Sequence, residues 1–213
     1  MGVMALLFFG FTPSYAGVAE DGVLLGSALK FSAGIVAAFL VHEGSHALVA
    51  GLTNTDLHWE TGTFNQPIAF TENANTDSKG FAISSAGLIS QAVGGEIILQ
   101  VDKIDKNDAF VRGMMTWNIL NPVLYSLDYW IFHSTNKING NSYQGDLAGI
   151  ERYSNKSTAD GFALSMSAIA VFQGYRFLKT QSWAPDWLKE NSRSMSLAPL
   201  PSGGFIVGYK FDF

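Results

Sequence analysis

The stretch FSAGIVAAFLVHEGSHALVAGL, residues 31–52, decides how the rest of the chain is read. It holds a single formally charged side chain, Glu43, in 22 residues. As a helix at about 1.5 Å per residue it extends about 33 Å, enough to cross a hydrocarbon core of about 30 Å. Its length and lack of alternation favour a helix over a strand. A charged carboxylate and two histidines in the middle of such a segment are expensive to bury, so by default they mark a function.

Those three residues form the pattern His42-Glu43-Gly44-Ser45-His46, an H-E-x-x-H motif. Residues four apart on a helix are separated by about 40° around the axis, so both imidazoles project from one face and can share a Zn²⁺ ion. Glu43 lies about 100° away from His42, placed to act on a metal-bound water without being a ligand. A shuffle of this composition yields about 0.002 matches to the motif, so chance is a poor explanation. Two hydrogen-bonded interior histidines are the bland alternative, and they leave the buried carboxylate of Glu43 without a purpose. A catalytic zinc takes three protein ligands and keeps one position open. Asp128, inside an apolar segment, is the best third ligand on sequence grounds; Glu96, His58 and His133 are weaker candidates. One Zn²⁺ per chain is the cofactor expected.

Outward from this helix the chain continues as weaker apolar segments at residues 80–99, 110–132 and 161–178, rich in Gly, Ser and Ala as suits helices that pack on one another. Residues 57–60 and 67–70 alternate around turn-forming residues and read as a hairpin. Residues 136–156 are polar, carry Asn-Gly and Gln-Gly turn signals, and read as a surface loop. Phe205, Val207, Tyr209, Phe211 and Phe213 recur at period two, a strand of at least nine residues. The apolar run 3–11, followed by Pro13 and a Ser-Tyr-Ala site ending at Ala16, is either a cleaved signal peptide or an uncleaved membrane-associated start. The expected fold is mainly α: a single domain over 1–213, a multi-helix membrane bundle with its core at 30–178, a short β-hairpin after the zinc helix and a C-terminal β segment at 193–213. Serines 84, 85 and 90 line either a water path or a packed helix face.

Composition supports this class. In 213 residues, hydrophobic residues make up 47% and charged residues only 15%, which excludes a disordered chain. The net charge of −5, with scattered cations, excludes a phosphate-binding stripe, so nucleic acid is not an expected partner. The chain has no cysteine, so any metal is held by His, Asp or Glu. Mean hydropathy is only slightly positive, which keeps a compact helical protein that merely touches a membrane open as a reading.

The motifs also come in a telling order: His42-Glu43-Gly44-Ser45-His46, then Ala86-Gly87-Leu88, then Asn118, Asn121-Pro122 and Leu127-Asp128. This order, over roughly residues 30–132, resembles the site-two-protease family of intramembrane zinc metalloproteases, which carry H-E-x-x-H, A-G-P and N-x-x-P with L-D-G on successive helices. Leu88 stands where that family has proline, and Tyr129 where it has glycine. The resemblance implies His42, His46 and Asp128 as zinc ligands, Glu43 as general base, and Asn118 or Asn121 as the group that binds the substrate carbonyl. The function expected is zinc-dependent hydrolysis of a peptide or membrane-protein substrate in or at the lipid bilayer. An exported soluble zincin-like hydrolase and a non-enzymatic metal-binding membrane protein are the alternatives.

Overall fold

A computed structural model describes residues 18–63, 66–72, 74–133, 145–190, 195–199 and 205–209. The protein is mainly helical. Its elements are α1 (Val18–Leu52), β1 (Leu57–Thr63), β2 (Gln66–Glu72), α2 (Asp77–Gln100), α3 (Ala109–Asp128) with a π-helical turn at Tyr129–His133, α4 (Asp146–Arg152), α5 (Lys156–Thr180), α6 (Asp186–Glu190), β3 (Met195–Pro199) and β4 (Phe205–Tyr209). β1 runs antiparallel to β2 with Leu57 opposite Glu72, and β3 antiparallel to β4 with Met195 opposite Tyr209. Residues 1–17 and 210–213 lie outside the described residues, and with them the Ala16 cleavage site and the end of the expected C-terminal strand.

Four long helices form the body. α1 and α3 run in the same direction and cross closely: a Cβ on Gly34 would collide with the Phe110 carbonyl, and one on Gly113 with the Phe31 carbonyl. Only glycine permits that approach, and it brings backbone within contact of backbone, the kind of packing used where no hydrophobic effect drives helices together. α2 and α5 run the opposite way. Gln91 of α2 meets Asn121 of α3, and Ser126 of α3 meets α5 at the carbonyl of Ala163 (3.1 Å) and at Ser167 Oγ (2.9 Å). Pro122 inside α3 has no N–H, so the Asn118 carbonyl loses its helical partner.

The buried side of α1 is Gly34, Ala38, His42, His46 and Ala50, one residue every four. Small residues flank the two histidines, so the neighbouring helices come close to them. The opposite side of α1 is left exposed with Leu25, Leu29, Val36, Leu40, Leu48 and Leu52. Among the described residues two helices are long and apolar enough to cross a membrane, α1 over Leu24–Leu52 and α2 over Asp77–Gln100.

The polar stretch expected as a surface loop is overturned in part. Residues 146–152 form α4, whose Leu147 and Ile150 are wholly buried in a cluster with Leu88, Tyr129, Ala159 and Ala163. Leu147 and Ile150, three apart, supply one apolar stripe, enough for a two-turn helix when α2, α3 and α5 already offer a groove.

Candidate metal centre

α1 presents His42 and His46 from one face, as four-residue spacing requires, and both are buried. His46 is fixed from behind: its Nδ1 donates to the Ile83 carbonyl of α2 at 2.6 Å. That bond places a proton on Nδ1 and aims Nε2 inward, the orientation seen in metal-ligating histidines. The Nε2 atoms of His42 and His46 stand 3.4 Å apart.

The third member of the group is Asp146, the first residue of α4. Its Oδ2 lies 3.1 Å from His42 Nε2 and its Oδ1 3.4 Å from His46 Nε2. Oδ2 is buried with no donor in hydrogen-bonding geometry. Burial alone would raise the Asp146 carboxyl, but the adjacent imidazoles of His46 and His42 outweigh it and hold the group well below the usual carboxylate range. The carboxylate is therefore anionic, paired across the group with the two imidazoles. It is set in place by Tyr125, whose hydroxyl accepts the Asp146 N–H at 3.0 Å. Gly145, at φ 125°, turns the chain into α4 in a conformation that a side chain would strain, and a Cβ there would collide with the Tyr125 hydroxyl.

The residues fit a metal ion, zinc among those that take His and Asp ligands. Ligand atoms about 2.0–2.1 Å from a tetrahedral zinc lie about 3.3 Å from each other. Here the two Nε2 atoms are 3.4 Å apart, and the Asp146 carboxylate spans them, Oδ2 at 3.1 Å from His42 and Oδ1 at 3.4 Å from His46; with one atom taken from each residue, the three lie within 4.8 Å of one another. Gly87 of α2 completes the cradle: a Cβ there would sit 2.5 Å from Nε2 of both histidines and fill the space they face. Among the described residues the group contains three ligands and no fourth side chain. Glu43 is half-buried beside it, within electrostatic reach of His42, Asp146 and His46.

Of the residues singled out from the sequence, His42, His46 and Glu43 meet at this centre and Asp128 does not. Asp128 is exposed at the end of α3. Pro122, Ser126 and Tyr129 face the interior of the bundle, and a residue two beyond Ser126 is rotated about 200° away from it. Glu96 is taken up by Arg176, whose Nη1 lies 2.7 and 2.8 Å from its two oxygens, and by Gln100 at 2.7 Å. His58 is exposed on β1; the side chain of His133 is outside the described residues. Asn118 is buried, and Asn121 donates from Nδ2 to Gln91 Oε1 at 3.1 Å, so both belong to a polar seam between α2 and α3. Ser85 and Ser90 bond back to the carbonyls of Ala82 and Gly87, as serines on a packed helix face do.

Asp146 was hidden in the sequence by its setting. It lies 100 positions after His46, directly behind the Gln144-Gly145 turn signal. The one signal available was an acidic residue opening a short apolar stripe, Asp146-Leu147 with Ile150.

Compared with known proteins, the sequence matches no family model, no curated protein matches it, and no solved structure matches its fold. The likeness to the site-two-protease family thus rests on the short motifs alone, and in this fold the aspartate beside the histidines comes from α4 and not from the Leu-Asp of α3.

Proposed function

We propose that this protein is a zinc-dependent peptide-bond hydrolase working in or at a membrane, built as a helical bundle with a hairpin after the zinc helix and a β segment at its C-terminal end. One observation carries the metal reading: the buried side chains of His42, His46 and Asp146, from α1 and α4, bring one donor atom each within 4.8 Å of one another, with Gly87 leaving the space in front of the histidines open. His42, His46 and Asp146 would hold the ion, which when bound supplies an acidified water and polarises a carbonyl.

The chain's own part of the chemistry falls to Glu43. Its carboxylate accepts a proton from the attacking water and delivers it to the departing amine nitrogen. His46, locked by Ile83, and Asp146, locked by Tyr125, keep the ligand set rigid, so little reorganisation accompanies the reaction. Asn118 and Asn121 are the candidates to hold the substrate carbonyl.

The membrane reading is supported by the surface. Leu40 and Leu48 of α1, Val93 of α2, Leu124 of α3, and Leu164 and Val171 of α5 are all exposed. A water-soluble bundle turns such residues inward, whereas a lipid-facing one leaves them out. This surface favours a membrane bundle over the exported soluble hydrolase, and among the described residues the group has three donors, as a site with an open position does.

The test is metal content by mass spectrometry on detergent-purified protein, paired with hydrolysis of membrane-presented peptides by native protein and Glu43→Gln. About one zinc per chain in both, with hydrolysis lost only in Glu43→Gln, is the expected result. Zinc-free native protein overturns the reading, and equal hydrolysis by both proteins removes Glu43 from the mechanism.

A further inference from the structure

We infer that the metal-bearing end of the bundle faces the non-cytoplasmic side of the membrane, so that its substrate is a peptide segment presented at that face. This rests on the membrane-hydrolase reading and goes beyond it by assigning the side from which the site is reached.

The helices divide the molecule into two ends. The far end is tied together by Lys30 of α1 with Asp108 (3.5 Å), by Asn107 with the Thr180 carbonyl of α5 (3.2 Å), and by Gln181 with the Lys106 carbonyl (3.0 Å). The metal end gathers the C-terminal part of α1, the start of α2, the π-helical turn, α4 and the start of α5. From Lys30 to His46 is 16 residues, about 24 Å of helix, whereas from His46 to the end of α1 at Leu52 is about 9 Å. The centre is therefore near one face.

Cations are unevenly shared between these ends. Among the described residues Lys30, Lys103, Lys106, Arg112, Lys179 and Lys189 lie at the far end, with Arg176 one turn further in. The metal end has Lys79, Arg152 and Lys156. Lysine and arginine in short loops and at helix ends collect on the cytoplasmic side, and acidic residues contribute little to that bias. Four antiparallel helices also return the chain to its starting side, so the start of α1 and the end of α5 share the basic face. Trp183 and Trp187 are exposed there and Trp59 is exposed on β1 at the other end, where aromatic residues settle at the two membrane surfaces.

The chain has no cysteine, so single cysteines report position without background. Ser157→Cys, exposed at the start of α5, marks the metal end; Ser182→Cys, exposed after α5, marks the far end. Each full-length protein is expressed in cells and treated with a membrane-impermeant maleimide before and after permeabilisation. Labelling of Ser157→Cys at least about 10-fold above Ser182→Cys in intact cells, equalised by permeabilisation, is expected from the charge bias. The reverse pattern overturns the orientation, and equal labelling of both in intact cells overturns it together with the membrane crossing. Zinc content is read on the same two proteins. Zinc-free protein with the expected labelling sinks the hydrolase and leaves the orientation standing; zinc-loaded protein with reversed labelling does the opposite.

Discussion

Two carboxylates of the bundle, Asp146 at one end and Glu96 at the other, show how surroundings decide what an acidic side chain does. Glu96 receives Arg176 through both oxygens, Gln100 at 2.7 Å and Gln173 at 3.4 Å, and it is partly exposed. Its charge is matched within the chain, and it ties α2 to α5. Asp146 is buried, lies against two imidazole nitrogens, and has an oxygen that, among the described residues, no donor reaches in hydrogen-bonding geometry. The first carboxylate is complete as it stands. The second is matched by imidazoles, side chains that also ligate metals. A carboxylate's depth is thus a poorer guide to function than the inventory of donors around it.

The comparison breaks most sharply with Asp146→Ala, which should lower zinc from about one per chain to none, while Asp128→Ala and Glu96→Gln retain it; metal analysis of the three purified variants decides between the carboxylates. Filling the cradle is next. Gly87→Val places a branched side chain against both Nε2 atoms and should also abolish zinc binding with the helical circular dichroism unchanged. Glu43→Gln should keep the zinc and lower kcat/KM about 10²- to 10⁴-fold, because it removes the proton acceptor and leaves the ligands in place. Tyr125→Phe sharpens the picture further. Losing the hydroxyl that accepts the Asp146 N–H should weaken zinc affinity about 10- to 100-fold, measured by competition with a chelator, without altering the ligand set. The smallest effect belongs to Glu96→Gln: its ion pair with Arg176 is about a third exposed, so its loss should cost about 1 kcal/mol or less of stability by thermal unfolding.

Much of this was legible in residues 31–52. The spacing of His42 and His46, the apolar surroundings and the neighbouring Glu43 follow from helix geometry, which depends only on local sequence. The helical class and the approximate extents of α2, α3 and α5 were legible for the same reason. Asp128 misled because an ionisable group in an apolar segment marks either a buried site or an exposed helix end, and periodicity over so short a distance does not separate them. Residues 136–156 misled because turn-forming dipeptides hid a two-turn helix that owes its existence to the groove it fills.

The sequence by itself therefore determined the histidine-bearing helix, the shared face of two proposed ligands, the neighbouring carboxylate and the helical class, all consequences of contacts within a few residues. Tertiary structure alone decided the third member of the group, since Asp146 reaches the histidines only when α4 seats Leu147 and Ile150 among α2, α3 and α5. It also decided the role of Gly87, which local pattern shows merely as a small residue and which packing makes the open wall of the site. Both depend on distances between segments far apart in the chain, and no period or spacing encodes those.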